Sequence, residues 1–392
     1  MTDIKSIKNR RSSQRGLSLI EVMIALALGS VITVGVVQLF VANSETHRLM
    51  MGQSRMQESA RFSLDFIGRS IRQAGYRGCF SSNDDLPNTF VVDPLIDKPP
   101  YEYDLQFGVQ GFDGTLLGWN PGLDILPQTT SAGVDTNVYS SLVLVAADST
   151  QGAGNGIDIA AIVPGTDVIT LRNMDQQDIE ARLNDLLGAT APIVVNQPSG
   201  GLNLLVDHLA VIHDCEKAMI FRVTSISTSG GLTTIGHDTG DTDDFKNDFF
   251  TLAVKNSFFK DASVTAIESH TYYIAPGLGE NSQGDTPLSL WRKSNLFAPI
   301  ELVEGVEDLQ ILYGVSTDGN ATPNLYIAAS PGLNWKQVTT IRITVIVNSI
   351  DDVGGTSTTT HGCGVHECVP GENFDGLIRK AFTQTIKLRN TS

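Results

Sequence analysis

The chain has 392 residues, is 41% hydrophobic and carries a formal net charge of −16. So acidic a composition excludes direct nucleic-acid binding, which needs lysine and arginine against phosphates. No nucleophile elbow, phosphate-cradling glycine loop or zincin helix motif appears, and the scattered histidines form no catalytic constellation, so the reading is a non-enzyme without a cofactor.

Organisation begins with a basic leader. Lys5, Lys8, Arg10, Arg11 and Arg15 stand before Gly16 with only Asp3 opposing them, and a long apolar run, 17–42, starts at Leu17. A secretory signal keeps its small-residue cleavage site behind the apolar core. Here the small residue stands in front, so a cut between Gly16 and Leu17 would discard the leader, 1–16, and keep the apolar helix. As a helix those 26 residues reach about 39 Å, enough to cross a hydrocarbon core of about 30 Å. The positive-inside rule then predicts a cytoplasmic N-terminus and an exported body.

Glu21 is the only charge inside the run. A carboxylate in a membrane segment is penalised by about 3 kcal/mol, and such residues tend to be functional. Cleavage would turn the Leu17 nitrogen into an ammonium four residues before Glu21, on the same helical face. The expected use is charge pairing, within the chain or with a packed neighbour, which would set axial register. The alternative is a carboxylate that snorkels to the interface.

Helical periodicity continues through 43–78. Met56, Ala60, Leu64, Ile67, Ile71 and Ala74 recur at three- and four-residue steps, while Arg55, Glu58, Arg61, Asp65, Arg69 and Arg72 fall largely off that stripe. The helix is therefore expected over 17–74, its second half laid on the body by the stripe. Gly29, Gly35 and Gly52 are weak points, and Gly75 and Gly78 end it.

The 318 residues beyond Ala74 read as short strands divided by Gly, Asp and Thr: 140–147, 167–172, 193–196, 209–213, 219–225 and 232–236, then 269–275, 288–292, 309–315, 338–348 and 382–388. The run 338–348 alternates little, which predicts a central strand covered on both faces. The fold class is α+β: a long N-terminal helix on a large, mostly antiparallel head, with two β lobes proposed at 79–265 and 266–392.

Export to an oxidising space makes disulfides the default for the four cysteines. Cys79 with Cys215 would staple the helix end to the sheet; Cys363 with Cys368 would close a small loop. The competing use is zinc on His361, Cys363, His366 and Cys368, at a spacing tighter than a zinc knuckle. Asp318, Gly319 and Asn320, and Asp238, Asp241, Asp243 and Asp244, are oxygen-rich turns of the kind calcium accepts, but neither reproduces a calcium loop and a solvated surface is the plainer reading.

Arg15-Gly16-Leu17-Ser18-Leu19-Ile20-Glu21-Val22 resembles the type III signal of type IV prepilins and type II secretion pseudopilins. That resemblance implies a prepilin peptidase that cuts after Gly16 and N-methylates Leu17, where relatives usually carry phenylalanine. The stretches 72–79, 214–215 with 221–225, 301–319 and 382–390 resemble PilW-type minor pilins. The implied role is a minor pilin of a type IV pilus that primes assembly and sits at the pilus tip. Its implied partners are other minor pilins, the major pilin, the inner membrane before assembly and a tip adhesin. The alternatives are a minor pseudopilin of a type II secretion system or a membrane-anchored adhesin.

Overall fold

The structure, a computed structural model, describes residues 18–78, 101–115, 118–122, 156–175, 179–180, 192–197, 202–213, 218–237, 247, 262–295, 297–319, 322–353 and 376–390. The chain divides into two compact units, Met1–Met51 and Gly52–Ser392.

One helix, α1, runs Leu19–Gln73. It is helical through Gly29, Gly35 and Gly52, so none of the three interrupts it. It stops where the sequence says it should. The Ala74 N–H still bonds the Ser70 carbonyl, and Gly75 turns left-handed at φ +75°, its N–H donated to the Arg172 carbonyl.

The strands follow in chain order as β1 (Val109–Thr115), β2 (Gly118–Asn120), β3 (Val168–Met174), β4 (Ile179–Glu180), β5 (Ile193–Asn196), β6 (Leu209–His213), β7 (Ala218–Arg222) and β8 (Ser225–Ser229). Then come β9 (Leu232–Gly236), β10 (Ser263–Pro276), β11 (Leu288–Ser294), β12 (Ile300–Glu304), β13 (Val306–Val315), β14 (Leu325–Ile327), β15 (Val338–Asn348) and β16 (Arg379–Lys387). All pairings among them are antiparallel.

Three sheets result. The largest orders its strands β12-β11-β10-β3-β1-β2, with β4 and β6 also on β10 and β7 on β6. The second is β14-β13-β15-β16 and the third β5-β9-β8. Strand β10 organises the first: its start pairs with β4 and β6, its middle with β3, and its end with β11. It runs across residue 265, where the sequence reading divided the two lobes. Gly305, at φ +79°, then carries the chain from β12 into β13 and so from the first sheet to the second.

Within Gly52–Ser392, α1 lies over a core shared by these two sheets. Met56, Ala60, Ile67, Ile71 and Ala74 pack with Ile169 and Leu171 of β3, Tyr272 of β10, Ile311 of β13, Ile341, Ile343 and Val345 of β15, and Ile386 of β16. Two polar contacts fix the position. Ser70 Oγ and the Tyr272 hydroxyl lie 2.6 Å apart, and the Asn390 amide donates to the Gln73 and Ala74 carbonyls, at 3.4 and 3.2 Å, among the last carbonyls that a helix leaves without intrahelical donors. Gly52 is there for closeness: a Cβ would stand 3.0 Å from Val353 Cγ1 and 3.3 Å from the Ser349 Cβ.

Strand β15 is central, between β13 and β16. Its second face is less covered than expected, since Arg342 and Thr344 stay half-exposed there. The expected strand at 140–147 lies outside the described residues.

Candidate functional site

The first unit presents an exposed helix surface. From Leu19 to Met51 the side chains are exposed or half-exposed, Leu19 at 79% and Phe40 at 74%. The helix is long and apolar enough to cross a membrane. Water penalises such a surface by about 25 cal/mol per Å² of apolar area, so it is built to be covered by lipid or by other apolar chains.

Three of the four hydroxyls in this segment bond their own helix. Ser30 Oγ donates to the Ala27 carbonyl, Thr33 Oγ1 to Gly29 and Thr46 Oγ1 to Ala42, each at 2.8 Å. Their polarity is satisfied within the helix, as a hydrocarbon setting demands.

Glu21 is different. It sits in the first turn of α1, its side chain exposed, and no hydrogen bond or ion pair ties its carboxylate to another described residue. The backbone around it is set by Ser18, whose carbonyl accepts from the Glu21 N–H at 3.0 Å and the Val22 N–H at 3.1 Å. Ser18 therefore stands at the N-cap, and Ser18-Leu19-Ile20-Glu21 has the spacing of a capping box. The sequence reading passed over Ser18, although serine followed three residues later by glutamate is a legible helix-start signal. A carboxylate here also faces the positive end of the helix dipole, which offsets part of its desolvation.

Gly16 and Leu17 lie outside the described residues. So do Cys79, Cys215, Cys363 and Cys368, with His361 and His366 of the zinc alternative and the aspartates at 238–244. Asp318 accepts from Ser316 Oγ at 3.1 Å and Gly319 turns at φ +76°, a turn closed by its own hydrogen bonds; Asn320 lies outside. Among the described residues no three His, Cys, Asp or Glu side chains gather as a metal site would require.

In the second unit, buried charge joins strands. Asp167, just ahead of β3, accepts from the Gly114 N–H at 2.7 Å and the Ile311 N–H at 2.6 Å, and its own N–H bonds the Leu309 carbonyl. Burial, with Asp113 and Asp308 nearby, outweighs those two donors and pushes its carboxyl up to about 8. Lys293 reaches Glu102 at 3.4 Å, both almost wholly buried. His208 and His270 are held down to about 4, chiefly by burial and then by Lys293 and Arg292 respectively, so both are neutral at ordinary pH. Asp167 and Lys293 are thus engaged in holding elements of the head together.

Comparison with known proteins agrees at both ends of the chain. Residues 11–37 match the family model of the prokaryotic N-terminal methylation motif, and residues 271–390 match that of Type IV Pilus-assembly protein W. The second match takes in the end of β10, from residue 271, and every strand from β11 to β16. No curated protein and no solved structure matches the chain.

Proposed function

We propose, on the premise that this chain is a PilW-like type IV pilin, that it primes pilus assembly as a minor pilin and ends at the pilus tip. The two matching families are structural components of pili, and they support the minor-pilin role itself. The observation that carries the finer reading is the helix from Leu19 to Ala42, apolar, exposed and bearing one carboxylate in its first turn.

The proposed sequence of events has three steps. A prepilin peptidase removes residues 1–16 between Gly16 and Leu17 and methylates the new amine. The apolar helices of several subunits then pack side by side in the inner membrane, the heads on the periplasmic side. There a Leu17 ammonium meets Glu21, and the complex is extracted upward as a nucleus for the fibre. Removing the leader takes five basic residues and one acidic one, leaving a net charge of −20. The head then supplies contacts to other minor pilins, to the major pilin and to a tip adhesin. Disulfides Cys79–Cys215 and Cys363–Cys368 would form during export and staple the head.

Replacing Gly16 by a bulkier residue tests the first step. Full-length precursor should accumulate in membranes; mature-sized protein from that variant would remove the peptidase from the account.

A further inference from the structure

The second sheet turns one face to the core beneath α1 and the other outward. On the outward face the register sets Thr340 opposite Lys387, Arg342 opposite Thr385 and Thr344 opposite Thr383. Their neighbours Ile341, Ile343 and Ile386 belong to the core. Thr383, Thr385 and Lys387 are exposed, and Arg342 and Thr344 are half-exposed. Thr344 and Thr383 join their hydroxyls at 2.9 Å, so hydroxyl groups run beside the two cations.

Arg342 is held in place from two sides. Tyr326 of β14 stands opposite Gly314 of β13, where a Cβ would come 3.0 Å from the Tyr326 ring, so glycine lets the ring lie across the strand. The Arg342 guanidinium carbon sits 4.1 Å from the centre of that ring, and the Tyr326 hydroxyl accepts from Thr340 Oγ1 at 3.2 Å. Arg342 Nε donates to Thr385 Oγ1 at 3.4 Å. The two terminal nitrogens of Arg342 have no hydrogen bond to a described residue. Lys387, diagonal to Arg342 on the same face, joins no ion pair among the described residues. The four strands hold two acids, Glu307 and Asp308. Glu307 is bonded by Arg379 at 2.6 Å, and Asp308 stands opposite Ile346, two rows beyond Arg342. A fixed, unspent guanidinium fork with a second cation beside it therefore lies on the surface of a chain whose net charge is −16.

A guanidinium fork meets a carboxylate with two parallel hydrogen bonds, and stacking on an aromatic ring keeps its plane in position. We infer that this face binds a carboxylated polysaccharide. The Arg342 fork takes one carboxylate, Lys387 takes another, and Thr344, Thr383 and Thr385 exchange hydrogen bonds with sugar hydroxyls. An acidic protein partner is the poorer fit, because protein interfaces centre on buried apolar anchors. The outward positions of β15 and β16 from Thr340 to Thr344 and from Thr383 to Lys387 present none. The inference goes beyond the pilus reading.

The test is calorimetric titration of polygalacturonate into the full chain in non-ionic detergent micelles. The wild type should bind it, and the fully methyl-esterified polymer, which has no carboxylate, should not bind. Arg342→Lys keeps the charge but loses the fork, and should weaken binding about tenfold or more. Lys387→Gln, at an exposed position where folding is not at stake, should weaken it about threefold or more. Lys380→Gln removes a cation from the other face of β16, where it opposes Val347, and should change nothing. A wild type that does not bind, equal binding of the esterified polymer, or unchanged binding by both Arg342→Lys and Lys387→Gln would each overturn the inference. So would a loss in Lys380→Gln as large as in Lys387→Gln, which would mean unspecific attraction to basic charge. Poly-L-glutamate bound as tightly as polygalacturonate would overturn it in favour of an acidic protein partner. Glu21→Ala, which tests the pilus reading, should leave polymer binding unchanged.

Discussion

The carboxylate of Asp167 takes one hydrogen bond from β1 and one from β13, and so ties the first sheet to the second at a single side chain. Its folded value of about 8 lies above the ordinary 3.8. The folded state therefore binds a proton that the unfolded chain has released. Stability is highest below the unfolded value, falls as pH rises through this window by at most about 1.4 kcal/mol per unit, and levels off above the folded value. Asp167→Asn removes this component. Urea unfolding at about pH 5 and about pH 8 should show the stability difference between wild type and variant shrinking with pH. A constant difference would mean that Asp167 titrates normally. Gly52 makes a second residue-scale case. Its place at the helix–sheet contact leaves no room for a large side chain, so Gly52→Leu should lower stability by about 1–3 kcal/mol through overpacking. At Gly29 a Cβ would meet nothing within 4 Å, so Gly29→Leu should leave head stability unchanged.

At the scale of elements, apolar spacing carried most of the information. Strands β5, β6, β9 and β15 run over the ranges their composition predicts, and α1 begins two residues after and ends one residue before its expected limits. Strands β1, β2, β4, β8, β12 and β14 escaped because their patterns are short or weak: β1 reads Val-Gln-Gly-Phe-Asp-Gly-Thr, with two glycines and an aspartate, and gains its place by pairing with β2 and β3. The helical stripe was legible but shifted at one position. Leu64 is half-buried, while Ser63 is fully buried with its hydroxyl donated to the Ser59 carbonyl at 2.7 Å. A hydroxyl that bonds its own helix can sit in a core, and periodicity of apolar residues cannot register it. Ile67→Ala should therefore cost about 2–5 kcal/mol in urea unfolding, and Leu64→Ala clearly less. Equal losses would put Leu64 in the core after all.

Across the whole molecule the same chain answers to two solvents. Residues 19–42 offer apolar surface in which the Ser30 and Thr33 hydroxyls bond their own helix, whereas Gly52–Ser392 folds a core of its own beneath the second half of α1. The candidate site is proposed from the glycine, the apolar run and one glutamate in register, of which the structure describes Glu21 and the helix but not Gly16 or Leu17. Sheet order was not legible, since antiparallel strands of similar composition do not announce their neighbours. Glu21→Ala should spare leader removal but reduce surface piliation, counted by electron microscopy; full piliation would show that charge pairing is dispensable. The most direct measurement is the intact mass of this protein recovered from sheared pili. The account predicts a chain that starts at Leu17 with one added methyl group and keeps the apolar helix. A chain that still starts at Met1, or that starts beyond residue 42, would contradict it.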